Sequence, residues 1–338
     1  MYRLLATGLL IFSGMLTLIG GNSAAEESKP DELLAISEES VEKWKQDFHA
    51  KAVAAGISDQ IIKDQLSDFM PNERIISLDR KQPSKTITFA EYHRRVISKV
   101  RIRKGKRLLE EHQDLLSEIG RKYGVQPRFI VALWGIETDF GNNMGGFKVP
   151  HALATLAYEG RRGEFFEREL VAALRIIEAG HINKKNMHGS WAGAMGQCQF
   201  MPTSFEKYAV DYNGDGRKDI WRTRADVFAS IANYLSTVGW DNNGTWGRAV
   251  QLPSGFDVGK TGKENFQDLS YWQSLGVRRA DGSNLPRRQI KGAIILPGGS
   301  EKQAYLIYSN YHSLLDWNRS LYFATAVGLL SDAIGERW

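Results

Sequence analysis

Apolar residues recur at helical spacing at Phe129, Ile130, Leu133 and Trp134, and the next position of that stripe is Glu137. Pro127 suits the first turn of a helix that ends near Thr138, with Gly141 available for the turn out. The segment is apolar on nearly all sides, as in a buried helix, and it carries a carboxyl group at its C-terminal end. Upstream, helical patterns run from about Glu39 to Asp68. Thr88 and Glu91 form a capping box ahead of helical sequence whose basic face includes Arg94, Arg95, Lys99, Arg101, Arg103, Lys104 and Arg107. Downstream, "EFFERELVAALRIIEAG" reads as a helix stopped by Gly180, and "HGSWAGAMGQCQFMPTSFEKYAV" alternates small residues with Trp191, Phe200 and Tyr208. Its glycines permit tight turns and close backbone approach. From about Gly247 to His312 the texture changes: "QIKGAIILPGGSEKQAYLIYSNY" holds two β-rich runs around "PGGSEKQ", the pattern of a hairpin, before helix returns at "NRSLYFATAVGLLSDAIGERW". The pattern predicts an α+β protein, mainly helical, with a small β-containing insert.

Composition narrows the class without naming it. With 338 residues, 42% hydrophobic and 25% charged, the chain has ordinary globular composition, and 44 Lys and Arg against 39 Asp and Glu give a formal net charge of +5. That mild basic bias suits an anionic partner, but there is no nucleic-acid motif, and the basic run is not interleaved with aromatics, so nucleic acid is set aside. The N-terminus "MYRLLATGLLIFSGMLTLIGGNSAAEES" has Arg3, an apolar run from Leu4 to Ile19 and small residues at Ser23, Ala24 and Ala25. It predicts an export signal over residues 1–25, cleaved near Ala25, followed by a polar linker over 26–37. The run is shorter than the roughly 20 residues a membrane span needs. The single cysteine, Cys198, offers no intrachain disulfide and no lipid-anchor acceptor near the leader. A soluble, exported protein is expected.

Two features suggest chemistry. A carboxyl at the C-terminal end of a buried helix, beside Trp134 and Phe140, is desolvated and faces the negative end of the helix dipole. Both effects favour the protonated acid, so Glu137 suits proton donation near neutral pH. A buried glutamate satisfied by an arginine or by backbone donors fits the same spacing, and local sequence does not separate the two. The second feature is "DYNGDGRKDIW". Asp211, Asn213 and Asp215 occupy the first, third and fifth positions of an EF-hand loop, Gly216 supplies the sharp turn, and the carbonyl of Arg217 falls at the seventh. Arg222 stands where the bidentate glutamate belongs.

The string "GIETDFG" together with "GSWAGAMGQCQFMPTSFEKYAVDYNGDGRKDIW" resembles the B-type lytic murein transglycosylases, over nearly the whole chain beyond the leader. The resemblance implies a lysozyme-like core over 126–246, preceded by a helical part over 38–125, interrupted by the insert over 247–312 and completed by a C-terminal helix over 313–338. It implies non-hydrolytic cleavage of the β-1,4 bond between N-acetylmuramic acid and N-acetylglucosamine, leaving 1,6-anhydromuramoyl ends. Glu137 aligns with the family glutamate that acts first as acid and then as base. Substrate-binding roles carry over to Ser190, Gln199, Tyr234 and Asn318, and to the arginine pair Arg161 and Arg162, for which a surface ion pair with Glu164 or Glu167 is the competing assignment. Trp317 stands where the family has tyrosine, able to stack a sugar but without a phenolic hydroxyl. The family loop takes a later aspartate, here Asp226, as a calcium ligand, although Thr223 and Asp226 also read as a capping box. No cofactor is expected for catalysis, and any Ca2+ is structural. Expected partners are peptidoglycan strands and cell-wall synthesis proteins, with no lipid anchor, in a periplasmic setting. A hydrolytic muramidase and a non-catalytic peptidoglycan-binding scaffold are the rival functions.

Overall fold

The computed structural model describes residues 36–81, 87–299 and 303–335. The expected leader, most of the 26–37 linker and residues 336–338 lie outside the described residues. The chain forms two compact units that interleave along the sequence: one takes the described residues of 1–84 with 143–207 and 214–222, the other 85–142, 208–213 and 223–338.

In the first unit, α1 (Glu38–Ala54), α2 (Asp59–Leu66) and α3 (Glu73–Arg80) come from the N-terminal part. The second unit opens with α4 (Phe89–Val96), α5 (Lys99–Glu111), α6 (Gln113–Tyr123) and α7 (Pro127–Thr138). The chain then returns to the first unit for β1 (Phe147–Lys148), α8 (Val149–Glu159), α9 (Gly163–Glu178), β2 (His188–Gly189) and α10 (Pro202–Tyr208), whose last residue falls in the second. The helices α8 and α9 pack on each other, and α2 and α3 pack on α8. β1 and β2 pair antiparallel, with Phe147 opposite Gly189. Gly145, at φ +92°, lies so near this pair that a Cβ would stand 2.1 Å from the Gly189 carbonyl oxygen, so no side chain fits there.

The rest of the second unit consists of α11 (Arg224–Thr237), β3 (Gly247–Gln251), β4 (Gln267–Asp268), α12 (Leu269–Ser274), β5 (Arg278–Arg279), β6 (Lys291–Ile295), β7 (Ala304–Ile307), α13 (Asn310–Trp317) and α14 (Leu321–Gly335). Helix α7 is its centre: Phe129 to Trp134 are wholly buried, and α5, α6, α11 and α14 pack around them. That matches the apolar-all-round sequence. The capping box of Thr88 and Glu91 forms at the start of α4. The helical sequence behind it is broken after Val96, because the Ser98 hydroxyl accepts from the Arg101 N–H and starts a new helix, α5.

The insert is an antiparallel five-stranded sheet in the order β4-β6-β7-β3-β5. The expected hairpin is β6 with β7, Ala293 opposite Ile307, although part of its turn lies outside the described residues. One face closes over its own core of Val250, Trp272, Val277, Ile294 and Leu306. The architecture is thus mainly helical with a small sheet, in the expected α+β class. Among the described residues no helix is long and apolar enough to cross a membrane.

Candidate active site

The end of α7 is fixed by two consecutive left-handed residues, Asp139 at φ 49° and Phe140 at φ 60°. Such conformations cost non-glycine residues on the order of 1 kcal/mol or more each and need neighbours that over-determine them. Here the Asp139 carboxylate meets Lys104 Nζ at 3.1 Å and Arg101 Nε at 3.6 Å, and Lys104 also donates to the Asp139 carbonyl. The Phe140 ring folds back edge-on to Trp134 and lies over Gly135, where a Cβ would stand 2.6 Å from it. Asp139 therefore turns the chain and faces the basic side of α5, leaving Glu137 alone at the helix end.

Glu137 keeps some solvent access as a residue, while its carboxyl is enclosed closely enough that burial pushes its pKa up to about 8. The indole Nε1–H of Trp317 donates to Oε1 at 2.7 Å and works in the opposite direction, favouring the carboxylate. Trp317, at the end of α13, lies 4.6 Å between centroids from Tyr234, which in turn lies 4.3 Å from Tyr208. The Tyr234 hydroxyl donates to the Asp316 carbonyl at 2.7 Å and so holds the end of the helix that presents Trp317. Burial raises the pKa of the Tyr234 hydroxyl, with Tyr208 and Asp316 adding in the same sense. Asn318 follows as the C-cap of α13, and its Oδ1 accepts from the Ser320 N–H at 3.0 Å. The hydrogen bond to Glu137 comes from the tryptophan and not from this asparagine.

Tyr92 is a neighbour that the sequence did not suggest. Burial raises its hydroxyl pKa, and the Glu137 carboxylate adds to that rise. It lies in α4, more than 40 residues before Glu137, and nothing in its local sequence distinguishes it from a core tyrosine.

The other saccharide-site candidates lie in the first unit. Ser190 is buried, and its Oγ accepts from the Ala194 N–H at 3.0 Å within the turn after β2. Gln199 sits at φ 51°, its Nε2 donating to the carbonyls of Met144 and Gly196. Its Oε1 is buried with no hydrogen-bond partner among the described residues, a cost of about 1–3 kcal/mol that a ligand donor would remove. Arg161 and Arg162 do not pair with Glu164 or Glu167. Both clamp Asp79 of α3, Arg161 through one carboxylate oxygen and Arg162 through the other. Asp79 is 1% exposed and would be costly to leave unpaired, whereas Glu164 is exposed and Glu167 pairs with Lys51.

Of the EF-hand-like positions, Asp211, Asn213 and Asp226 belong to the second unit, and Asp215 and Arg217 to the first. Asp226 is fully buried, and its Oδ1 accepts from the Tyr212 N–H at 2.9 Å. Thr223 is the N-cap of α11 but makes no side-chain cap hydrogen bond, so the capping box read from sequence does not form. The Oδ1 of Asp215 accepts from the Arg217 N–H, and that of Asp219, two positions further on, from Trp221 and Arg222. Oxygen donors of this kind are what a hard cation such as calcium takes, although among the described residues no three His, Cys, Asp or Glu side chains are grouped as a metal site.

A family model described as Transglycosylase SLT domain matches residues 40–332. Membrane-bound lytic murein transglycosylase B of Escherichia coli K12 is 29% identical over 294 residues, covering 82% of this chain and 79% of that protein. Among solved structures, Pseudomonas aeruginosa SltB3 in complex with NAG-NAM-pentapeptide superposes with a TM-score of 0.84 at 39% identity, covering 87% of this chain and 79% of that one. The Escherichia coli lytic transglycosylase Slt35 in complex with calcium superposes with a TM-score of 0.75 at 28% identity, covering 87% and 93%.

Proposed function

The chain belongs to the transglycosylase SLT domain family, and we propose that it is a lytic transglycosylase that cleaves peptidoglycan with Glu137 as its one acid and base. The observation that carries this reading is the state of that carboxyl. With its pKa near 8 it holds a proton at neutral pH, and among the described residues no second carboxylate acts on it, since the nearest in sequence, Asp139, is turned to Lys104 and Arg101.

The chemistry then needs no second acid. Glu137 gives its proton to the glycosidic oxygen as the C1–O bond of the muramoyl residue breaks. The carboxylate left behind, stabilised by the Trp317 N–H, takes the proton of the muramoyl 6-hydroxyl as O6 bonds to C1. One proton is given and one recovered, so the enzyme ends as it began and no water is consumed. A hydrolase of the ordinary kind would use a second carboxylate to activate water or attack C1.

Glycan-binding roles for Ser190, Gln199, Tyr234, Trp317 and Asn318 belong to the same proposal. The unsatisfied Gln199 Oε1, suited to a sugar hydroxyl or amide donor, and the aromatic group of Tyr208, Tyr234 and Trp317 support it. Arg161 and Arg162 are occupied by Asp79, and their remaining exposed N–H groups are what would meet substrate carboxylates. SltB3 was solved with a muropeptide, which supports a peptidoglycan substrate. Calcium held by Asp211, Asn213, Asp215, Asp226 and the Arg217 carbonyl would neutralise an acidic loop without entering the reaction, and the calcium complex of Slt35 supports that assignment. An export signal at the N-terminus would place the enzyme in the periplasm with its substrate.

Mass spectrometry of muropeptides released from purified sacculi, by the wild type and by Glu137→Gln, tests the proposal. Anhydromuramoyl products from the wild type alone are expected. Reducing ends would require a hydrolytic muramidase, and glycan binding without cleavage by either protein would require a scaffold.

A further inference from the structure

The sheet of the insert carries charge on a face that should be apolar. Arg248 on β3 stands opposite Leu306, and Arg279 on β5 stands opposite Val250, so both arginines share the face of Leu306 and Val250 that covers the insert core. Tyr308, two residues beyond Leu306, falls on the same face, its N–H bonded to the Trp246 carbonyl. The Arg248 guanidinium lies 5.6 Å from the Tyr308 ring centre. The same guanidinium acts on the Tyr308 hydroxyl as a charged, hydrogen-bonding neighbour. Arg248 Nε, Arg279 Nε and the Tyr308 hydroxyl are all buried, and neither Nε has a hydrogen-bond partner among the described residues.

The acids around this group are already engaged. Asp332 of α14 interacts with Arg248 at a distance, but its two oxygens take Arg128 Nη1 and the Trp246 indole, each at 2.9 Å. Asp281 accepts from the Ser283 N–H and hydroxyl. The third arginine of the segment, Arg278, is spent on the carbonyls of Gln273 and Val277. No carboxylate among the described residues lies within ion-pairing distance of Arg248 or Arg279, although two like charges side by side on a half-buried face call for a counter-ion. Both positive charges act to lower the Tyr308 pKa against the rise caused by burial, which places the hydroxyl in the same field.

We propose that Arg248, Arg279 and Tyr308 form a binding site for a carboxylate, separate from Glu137 and the groups around it. Two planar guanidinium forks and one hydroxyl donor match the flat, two-oxygen geometry of that anion. Both arginines are half-buried, so part of each side chain meets solvent while its Nε and the Tyr308 hydroxyl lie beneath.

The experiment is a titration of the full chain labelled with 15N-arginine, following the Nε–H signals of Arg248 and Arg279 at constant ionic strength. The probes are sodium acetate, an acetylated dipeptide with a free C-terminus, the same dipeptide as its amide, and inorganic phosphate. Saturable shifts of both signals with acetate and the free dipeptide, and none with the amide, are expected. Tighter binding of the dipeptide than of acetate would identify a peptide terminus as the source, and equal binding a free small carboxylate. Arg248→Gln and Arg279→Gln should each weaken binding about tenfold or more, and Tyr308→Phe, which keeps the ring and its packing, several-fold. If either arginine variant does not fold, Tyr308→Phe decides. Absence of saturable binding, undiminished binding in the variants that fold, or a preference for phosphate would each overturn the proposal.

Discussion

The indole N–H of Trp317 donates to Oε1 of Glu137 over 2.7 Å, joining the end of the buried helix α7 to the end of a helix 180 residues later in the chain. The same indole rests on Tyr234, whose hydroxyl holds the carbonyl next to it in sequence, so the donor has little freedom to move away. Burial keeps the acid protonated, and the indole limits that effect by favouring the anion that forms after proton transfer.

Replacing Trp317 by phenylalanine keeps a ring and removes the donor. A donor to the charged form lowers an acid's pKa, so its loss should raise the Glu137 pKa from about 8 by about one unit. Sacculus cleavage followed across pH should show an alkaline limb displaced upward, with a lower rate on the plateau. An unmoved limb would show that Trp317 does not act through the acid.

Glu137→Gln should abolish cleavage and yet stabilise the fold. The folded pKa is raised from 4.5 to about 8, so the acid's favourable contribution is complete below pH 4.5 and is lost as pH rises towards 8. Glutamine has the same shape and no charge to bury. Its stability should match the wild type near pH 4 and exceed it increasingly towards pH 8, by about 3 kcal/mol at pH 7. Thermal unfolding at three pH values checks this.

Asp79→Ala should destabilise the first unit by about 2–3 kcal/mol, because two guanidinium groups lose a buried carboxylate that each contacts directly. The partial exposure of both arginines keeps the figure below that of a fully buried pair. Chemical denaturation measures the loss. If cleavage of peptide-bearing glycan improves once the arginines are released, the clamp competes with substrate.

Chelation should lower the melting temperature, and added calcium should restore it, while the cleavage rate of protein that remains folded stays the same. Asp226→Asn, which removes charge from a fully buried position proposed as a ligand, should abolish the calcium response. Metal analysis of the purified protein gives an independent check, and a rate that follows calcium in fully folded protein would contradict the structural role.

What the sequence determined by itself is local. The bounds of α7, its proline start and the burial of the carboxyl all follow from periodicity and punctuation within a dozen residues, whereas the turn expected at Gly141 begins earlier, at Asp139. The Thr88 capping box and the β6–β7 hairpin were legible for the same reason, since each signal lies within a few positions of the structure it makes. The tertiary structure alone decided what these elements meet. Tyr92, Trp317 and Tyr208 come to the site from distant segments, and no local pattern marks which core aromatic will end beside an acid. Arg161 and Arg162 could be seen as a pair, but their partner, Asp79, lies some eighty residues earlier, where no helical spacing connects them. The capping box at Thr223 looked equally sound, yet the Thr223 side chain makes no cap hydrogen bond to α11, and Asp226 accepts from the Tyr212 N–H across the loop. Short-range geometry is written in spacing, whereas the identity of a buried group's partner depends on which segments the core brings together.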